Sequence, residues 1–394
     1  IMAYSSIAKP EDYFNTVLYT GNGSAGHSIT GVGFQPDWVW IKNRASAKHM
    51  LYDAARGATK AIFTNESTAE NTSSGHLTAF GTDGFTLGDN SGTGSTNGNS
   101  ENYVSWNWLA GGSAPAITYS VKVVSDSGNK YRFDDFGTSA VTLDLQEGGT
   151  YTFDGSDSSM SSHPIKLSTT SGGTHSGGSS YNTGVTYQLD GSSVSESAYV
   201  SGYSAASSRK LIITVAASAP TLYYYCHYHS GMGGQANTNS TFGSSNFSGS
   251  IQSTISANTT AGFSIVKYTG TGANAAIGHG LGVTPKMIIV KAYEDAQQWA
   301  VQHSALGATK GIRINTTAAA YTSSTRWNNT EPTSSVFTVG TEAEVNTNTE
   351  DHIAYCFAEK KGYSNIGSYT GNGNADGTFV YTGFRPAWVM IKRT

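Results

Sequence analysis

The chain has 394 residues, a formal net charge of −4 and 13% charged residues, about half the usual share of roughly 25%. With 23 Lys and Arg against 27 Asp and Glu, there is no cationic excess to neutralise a run of phosphates, which weighs against nonspecific nucleic-acid binding. No apolar run approaches the ~18 residues of a membrane-spanning helix, and two cysteines 130 positions apart make no disulfide framework.

Hydrophobic residues are 37% and aromatics 11% of the chain, which argues for folded structure over disorder. At about 150 residues per domain the length predicts two or three domains. From the N-terminus, Lys9, Pro10, Glu11 and Asp12 argue against a signal peptide. Strand-like strings follow, separated by Gly, Asn, Asp and Ser clusters: Trp38 to Ile41, Tyr103 to Trp108, Leu211 to Val215 and Met287 to Val290. One short helix is expected near Lys48 to Ala58. The fold class expected is all-β, with tandem β-sandwich-type domains.

An internal repeat organises the chain. Tyr19-Thr20-Gly21-Asn22-Gly23 recurs as Tyr268-Thr269-Gly270-Thr271-Gly272 and as Tyr369-Thr370-Gly371-Asn372-Gly373. Pro36, Pro285 and Pro386 follow at one spacing, then Lys42, Lys291 and Lys392 at another. The first two copies also align through Gly57-Ala58-Thr59-Lys60 with Gly307-Ala308-Thr309-Lys310, and Asn65 with Asn315. The domains expected are therefore a first repeat at 1–112, an unrelated insert at 116–245, a second repeat at 251–362 and the first strands of a third at 363–394. A lone strand pair cannot bury its apolar face. The tail is thus part of a longer polypeptide, packs on the second copy, or completes a neighbouring subunit by strand addition; the first is favoured.

The insert carries its own strand strings: Ser120 to Val124, Val141 to Leu145, Tyr151 to Phe153, Ile165 to Leu167, Lys210 to Val215 and Thr221 to Cys226. The last runs into Cys226-His227-Tyr228-His229-Ser230-Gly231-Met232. Cys, His and Met spaced by three on one closing loop, with His163 at the start of a distant strand, is how a trigonal copper site with a weak axial thioether is built. Strand alternation points His227 away from Cys226. Three readings stand: copper, another metal, or a metal-free sandwich in which Cys226 is a small buried hydrophobe.

On these residues the insert resembles the cupredoxins, small blue-copper β-sandwiches. The resemblance implies a central Greek-key sandwich with His163, Cys226, His229 and Met232 as metal ligands and copper as the cofactor. The whole chain also resembles virion structural, tail-fibre-like proteins of phages of marine bacteria. That likeness is carried by Met2-Ala3-Tyr4-Ser5, Gly33-Phe34-Gln35-Pro36-Asp37, His279-Gly280-Leu281-Gly282 and Gly383-Phe384-Arg385-Pro386-Ala387-Trp388. It implies a particle-surface component in the virion, self-association, other virion proteins as partners, a host-surface glycan or receptor as a possible contact, and no membrane insertion. It also implies a third repeat that continues beyond Thr394.

No nucleophile elbow, P-loop, zinc-protease His-Glu pair or dinucleotide fingerprint appears, so no enzyme activity is expected. The Asp83-Gly84, Asp89-Asn90 and Asn97 to Asn102 stretch reads as a solvated turn region ahead of a calcium loop. Trp38, Trp40, Trp106 and Trp108 obey period two. They form either core or a sugar-stacking face, the latter making a glycan-binding adhesin the third functional reading.

Overall fold

The computed structural model describes residues 5, 7–45, 47–112, 114–238 and 242–394. Met2 to Tyr4, Ser113 and residues 239–241, which belong to the N-terminal likeness and the two linkers, lie outside them. The structure is all-β and multi-sheet, with β-sandwich-like layering. It divides into two compact units, Ile1–Ala110 with Ile255–Thr394, and Gly111–Thr254.

In the first unit each complete copy arranges six strands in the same order within its sheet. Copy 1 orders its strands Phe14–Thr20, Asn102–Trp108, Trp38–Asn43, His49–Asp53, Lys60–Phe63 and Asn71–Thr72. Copy 2 repeats the order with Phe263–Thr269, Asp351–Phe357, Met287–Ala292, Ala300–His303, Lys310–Arg313 and Tyr321–Thr322. In both, the last strand of the copy inserts between its first strand and the strand that follows the proline. A smaller sheet lies over the first one in copy 1, His27–Thr30 with Gly84–Leu87 and Leu77–Gly81. Ile29, Val39, Ile41, Met50, Tyr52, Phe63, Phe85 and Tyr103 fill a common core.

The repeated Tyr-Thr-Gly-x-Gly string ends a strand and opens a loop that one buried asparagine clamps in each complete copy. Asn97 Oδ1 accepts from the Asn22 amide (3.0 Å), and its Nδ2 donates to the Gly88 carbonyl (2.7 Å). Asn346 does the same with Thr271 (2.7 Å) and Gly340 (2.8 Å). The close approach explains the first glycine. A Cβ on Gly21 would lie 2.3 Å from the Gly98 carbonyl oxygen, and one on Gly270 would lie 2.1 Å from that of Thr347. The Asn/Asp-rich stretch is held by local bonds: Asn90 Oδ1 takes the Thr96 and Asn97 amides of the clamp, and Asp83 separately takes those of Gly31 and Gly33. Asn346→Ala leaves several buried groups unpaired, at about 1–3 kcal/mol each. It is expected to lower the stability of this unit by roughly 3 kcal/mol, read from tryptophan fluorescence during urea unfolding. An unchanged midpoint would mean that the clamp is dispensable.

Two expectations are corrected. Residues Lys48 to Ala58 form no helix; His49–Asp53 is a strand in the middle of the sheet, because Met50, Leu51 and Tyr52 are all buried and both of its faces are covered. The tail does not form the first strands of a third repeat: residues 365–394 hold no regular secondary structure. The cause lies in the topology. In the complete copies the first strand and the post-proline strand are bonded to the last strand, and the tail carries only the equivalents of those two. Its Gly373 still adopts the left-handed turn (φ 70°) of Gly23 (67°) and Gly272 (68°), since that turn is local.

The tail meets its own chain. Trp388 lies 5.3 Å from Trp108 and 6.2 Å from Trp40, centroid to centroid. Lys392 Nζ donates to the Thr316 (2.6 Å) and Ala318 (3.2 Å) carbonyls. It therefore touches both complete copies, which removes the reading in which it completes a neighbouring subunit.

The second unit has a six-stranded sheet ordered Asn129–Phe133, Ala116–Ser125, Thr150–Asp154, Arg209–Thr214, Val185–Leu189 and Ser192–Val194. A four-stranded sheet, Leu143–Asp144, Gly234–Asn237, Leu222–Cys226 and Ile165–Ser168, completes it. Alternating aromatic and aliphatic residues such as Tyr119, Val121, Tyr151, Phe153, Leu211 and Ile213 form a core that also holds Cys226 and Met232. The helix Glu196–Gly202 starts at Ser195, whose hydroxyl accepts the Ala198 amide.

Candidate metal centre

The site is assembled by two neighbouring strands of the four-stranded sheet. Ile165–Ser168 runs antiparallel to Leu222–Cys226 with Ile165 opposite Cys226. Just before Ile165, the Asp157 side chain caps the short turn Ser158–Met160. The His163 amide then donates to the Met160 carbonyl (2.8 Å), and Tyr131 Oη holds the His163 carbonyl (2.9 Å). This backbone is anchored at both ends, and it delivers a buried imidazole beside the end of the Cys226 strand.

Beyond Cys226 the chain turns sharply. The His227 amide still donates to the Pro164 carbonyl (2.9 Å), and the Met232 carbonyl accepts the Tyr131 amide (3.0 Å). Gly233 is forced by contact: a Cβ there would sit 1.7 Å from the Tyr224 carbonyl oxygen. The loop between these anchors returns His229 to the cysteine.

The result is a compact donor set. Cys226 Sγ lies 3.6 Å from His229 Nδ1 and 3.8 Å from His163 Nδ1. The three ligand atoms all fall within 4.8 Å of one another. With metal–sulfur near 2.3 Å and metal–nitrogen near 2.0–2.1 Å, two ligands subtending 109–120° stand roughly 3.5–3.8 Å apart. Both sulfur–nitrogen distances fit that range, so His163, Cys226 and His229 can coordinate one metal ion. His163 and Cys226 are buried, and His229 is exposed. Burial, followed by the neighbouring His229, lowers the His163 pKa below its usual value, which favours the neutral imidazole that a metal requires.

Met232 is buried in the core cluster that contains Cys226. His227 stands outside the donor set, with Nδ1 buried and unpartnered among the described residues. A residue not singled out by the sequence, His175, places Nε2 2.9 Å from the Cys226 carbonyl oxygen. It sits on the Gly173–Ser176 turn, where no periodicity announces it. The other cysteine, Cys356, is in the core of the first unit, where burial pushes its thiol up to about 12.

The model of one protein family, a domain of unknown function (DUF7483), matches residues 9–132 and 236–394, more than half of the chain. The chain belongs to the DUF7483 family. Comparisons with curated proteins and with solved structures each found no match. The DUF7483 match covers the repeats and the edges of the second unit. It leaves out residues 133–235, the stretch that contains His163, Cys226, His229 and Met232. The donor set therefore lies outside the matched residues.

Proposed function

We propose that Gly111–Thr254 is a copper-binding module of the cupredoxin kind, set within a DUF7483 protein. The observation that carries this reading is one buried cysteine sulfur and two imidazole Nδ1 atoms at coordination distance of a common point. One soft sulfur with two imidazoles is the in-plane donor set of trigonal copper. His163, Cys226 and His229 would hold the ion, and Met232 is the candidate for the weak axial thioether. Copper so bound supplies a one-electron couple. The protein's own part is to keep Cys226 and His163 out of water and to fix the loop that brings His229 back.

The test is titration of the full chain with Cu(II), followed by visible absorption and metal analysis. One equivalent is expected to bind with intense thiolate-to-copper colour. Cys226→Ser is expected to abolish the colour, and His229→Ala to weaken binding while leaving the fold intact, since His229 is exposed. A folded protein that takes up no copper, or that retains zinc in preference, would overturn the copper assignment.

A second reading concerns the repeats. We propose that they serve as building blocks of a virion surface, fibre or spike component, as the resemblance to tail-fibre-like proteins implies. The docking of one copy onto the next supports it. Copurification with particles, and multimers at sedimentation equilibrium, are the expected results; a monomer absent from particles would count against it.

A further inference from the structure

The two complete copies meet through a face on copy 2 and an edge on copy 1. Three side chains of the copy 2 face hydrogen-bond across this contact. Lys291 Nζ donates to the Ser67 carbonyl (3.4 Å), Trp299 Nε1 to the Phe63 carbonyl (2.9 Å) and Tyr355 Oη to Asp53 Oδ2 (2.7 Å). All three are fully buried.

Their counterparts in copy 1 follow from strand register. Tyr355 pairs with Ile265 and Ile289, as Trp106 pairs with Thr16 and Trp40. The Trp299 amide donates to Asn315 Oδ1, as the His49 amide does to Asn65 Oδ1. Lys291 corresponds to Lys42 by the repeat. Lys42, His49 and Trp106, with Trp40 beside them, are only half-buried. All four line one open cleft, together with Thr64 and Asn65 of copy 1, residues 314–317 of copy 2 and 387–391 of the tail.

The tail repeats the docking mode. Lys392, the third equivalent lysine, donates to the Thr316 and Ala318 carbonyls of copy 2. These flank Thr317, the counterpart of Ser67. Copy 3 therefore addresses copy 2 as copy 2 addresses copy 1. Near the centre, Trp38 and Trp108 of copy 1, Phe263 and Phe357 of copy 2 and Trp388 of the tail form one aromatic cluster.

From these correspondences we infer that the copies dock head to tail by one repeated operation, and that the copy 1 face around Trp40, Lys42, His49 and Trp106 is the docking surface for the edge of a complete third copy of this repeat. Heterologous contacts of this kind form a closed ring when the rotation closes. The cleft lies where face 1, edge 2 and the first part of copy 3 converge, so the ring has three members. The occupant is a repeat edge presenting backbone carbonyls in the manner of Phe63 and Ser67. These are the groups that the equivalent lysine and tryptophan of copy 2 already bind.

The test extends the full chain after Lys392 with residues 292–362, which completes copy 3 with copy 2's own sequence. Hydrogen exchange in Trp38–Asn43 and His49–Asp53 is expected to slow several-fold, with lower acrylamide quenching of tryptophan. Trp106→Ala in the extended chain is expected to reverse both. An added copy that folds but leaves exchange and quenching unchanged overturns the proposal. If the extended chain does not fold, the original chain decides. Trp388→Ala with Lys392→Ala is expected to speed exchange at 314–318 and raise tryptophan quenching. No change there would mean that copy 3 does not follow the operation, and the proposal falls.

Discussion

Cu(II) at a hundredfold excess over its Kd is expected to raise the unfolding free energy of the Gly111–Thr254 unit by about 2.7 kcal/mol, and Cys226→Ser is expected to remove that gain. The physical basis is linkage. His163 and Cys226 are 63 residues apart in the chain and 3.8 Å apart at their ligand atoms only in the folded state. An ion that holds both favours the folded state over the unfolded one. All seven tryptophans lie outside this unit, so its transition is followed by tyrosine absorbance, while tryptophan emission reports the repeats independently. The metal is expected to shift the tyrosine transition and leave the tryptophan one in place. An equal shift in Cys226→Ser would locate the binding elsewhere.

The second large effect is expected from a single methyl group. Gly233→Ala places a Cβ 1.7 Å from the Tyr224 carbonyl oxygen and 2.6 Å from its carbon. Both are backbone atoms of a central strand, so the strand or the loop must move. A cost of about 3 kcal/mol or more is expected, together with loss of metal binding, because the loop carries His229 and Met232. Gly231→Ala is the control. Gly231 has φ 72°, and the nearest atom to its Cβ is the Lys130 ammonium at 3.9 Å, so the substitution costs only the left-handed conformation, about 1 kcal/mol. Thermal unfolding of the two variants should separate them clearly. Similar losses would mean that the close approach at Gly233 does not constrain the loop.

Part of the candidate site is legible in the sequence, for a chemical reason. Cys226, His229 and Met232 are neighbours on one short loop, and their residue types and spacing suit a soft metal. Placing His163 beside them required a strand pairing, Ile165 with Cys226, that its local sequence only hints at. His175 is not legible at all, since its contact to the Cys226 carbonyl depends on a Gly-rich turn folding back over the strand. The helix expected at 48–58 fails because Met50, Leu51 and Tyr52 are buried in succession, which leaves no helical period to mark it.

The sequence by itself determined the all-β class, the repeat and the positions of its turns. Strand strings, Gly-x-Gly turns and short loop motifs are set by interactions within a few residues, and the Gly373 turn persists even where its copy builds no strands. Only the tertiary structure decided how the copies combine. The last strand of each copy inserts between two earlier ones, a long-range pairing that local pattern cannot specify. The difference between buried Tyr355 and half-exposed Trp106 likewise comes from which neighbour covers each face.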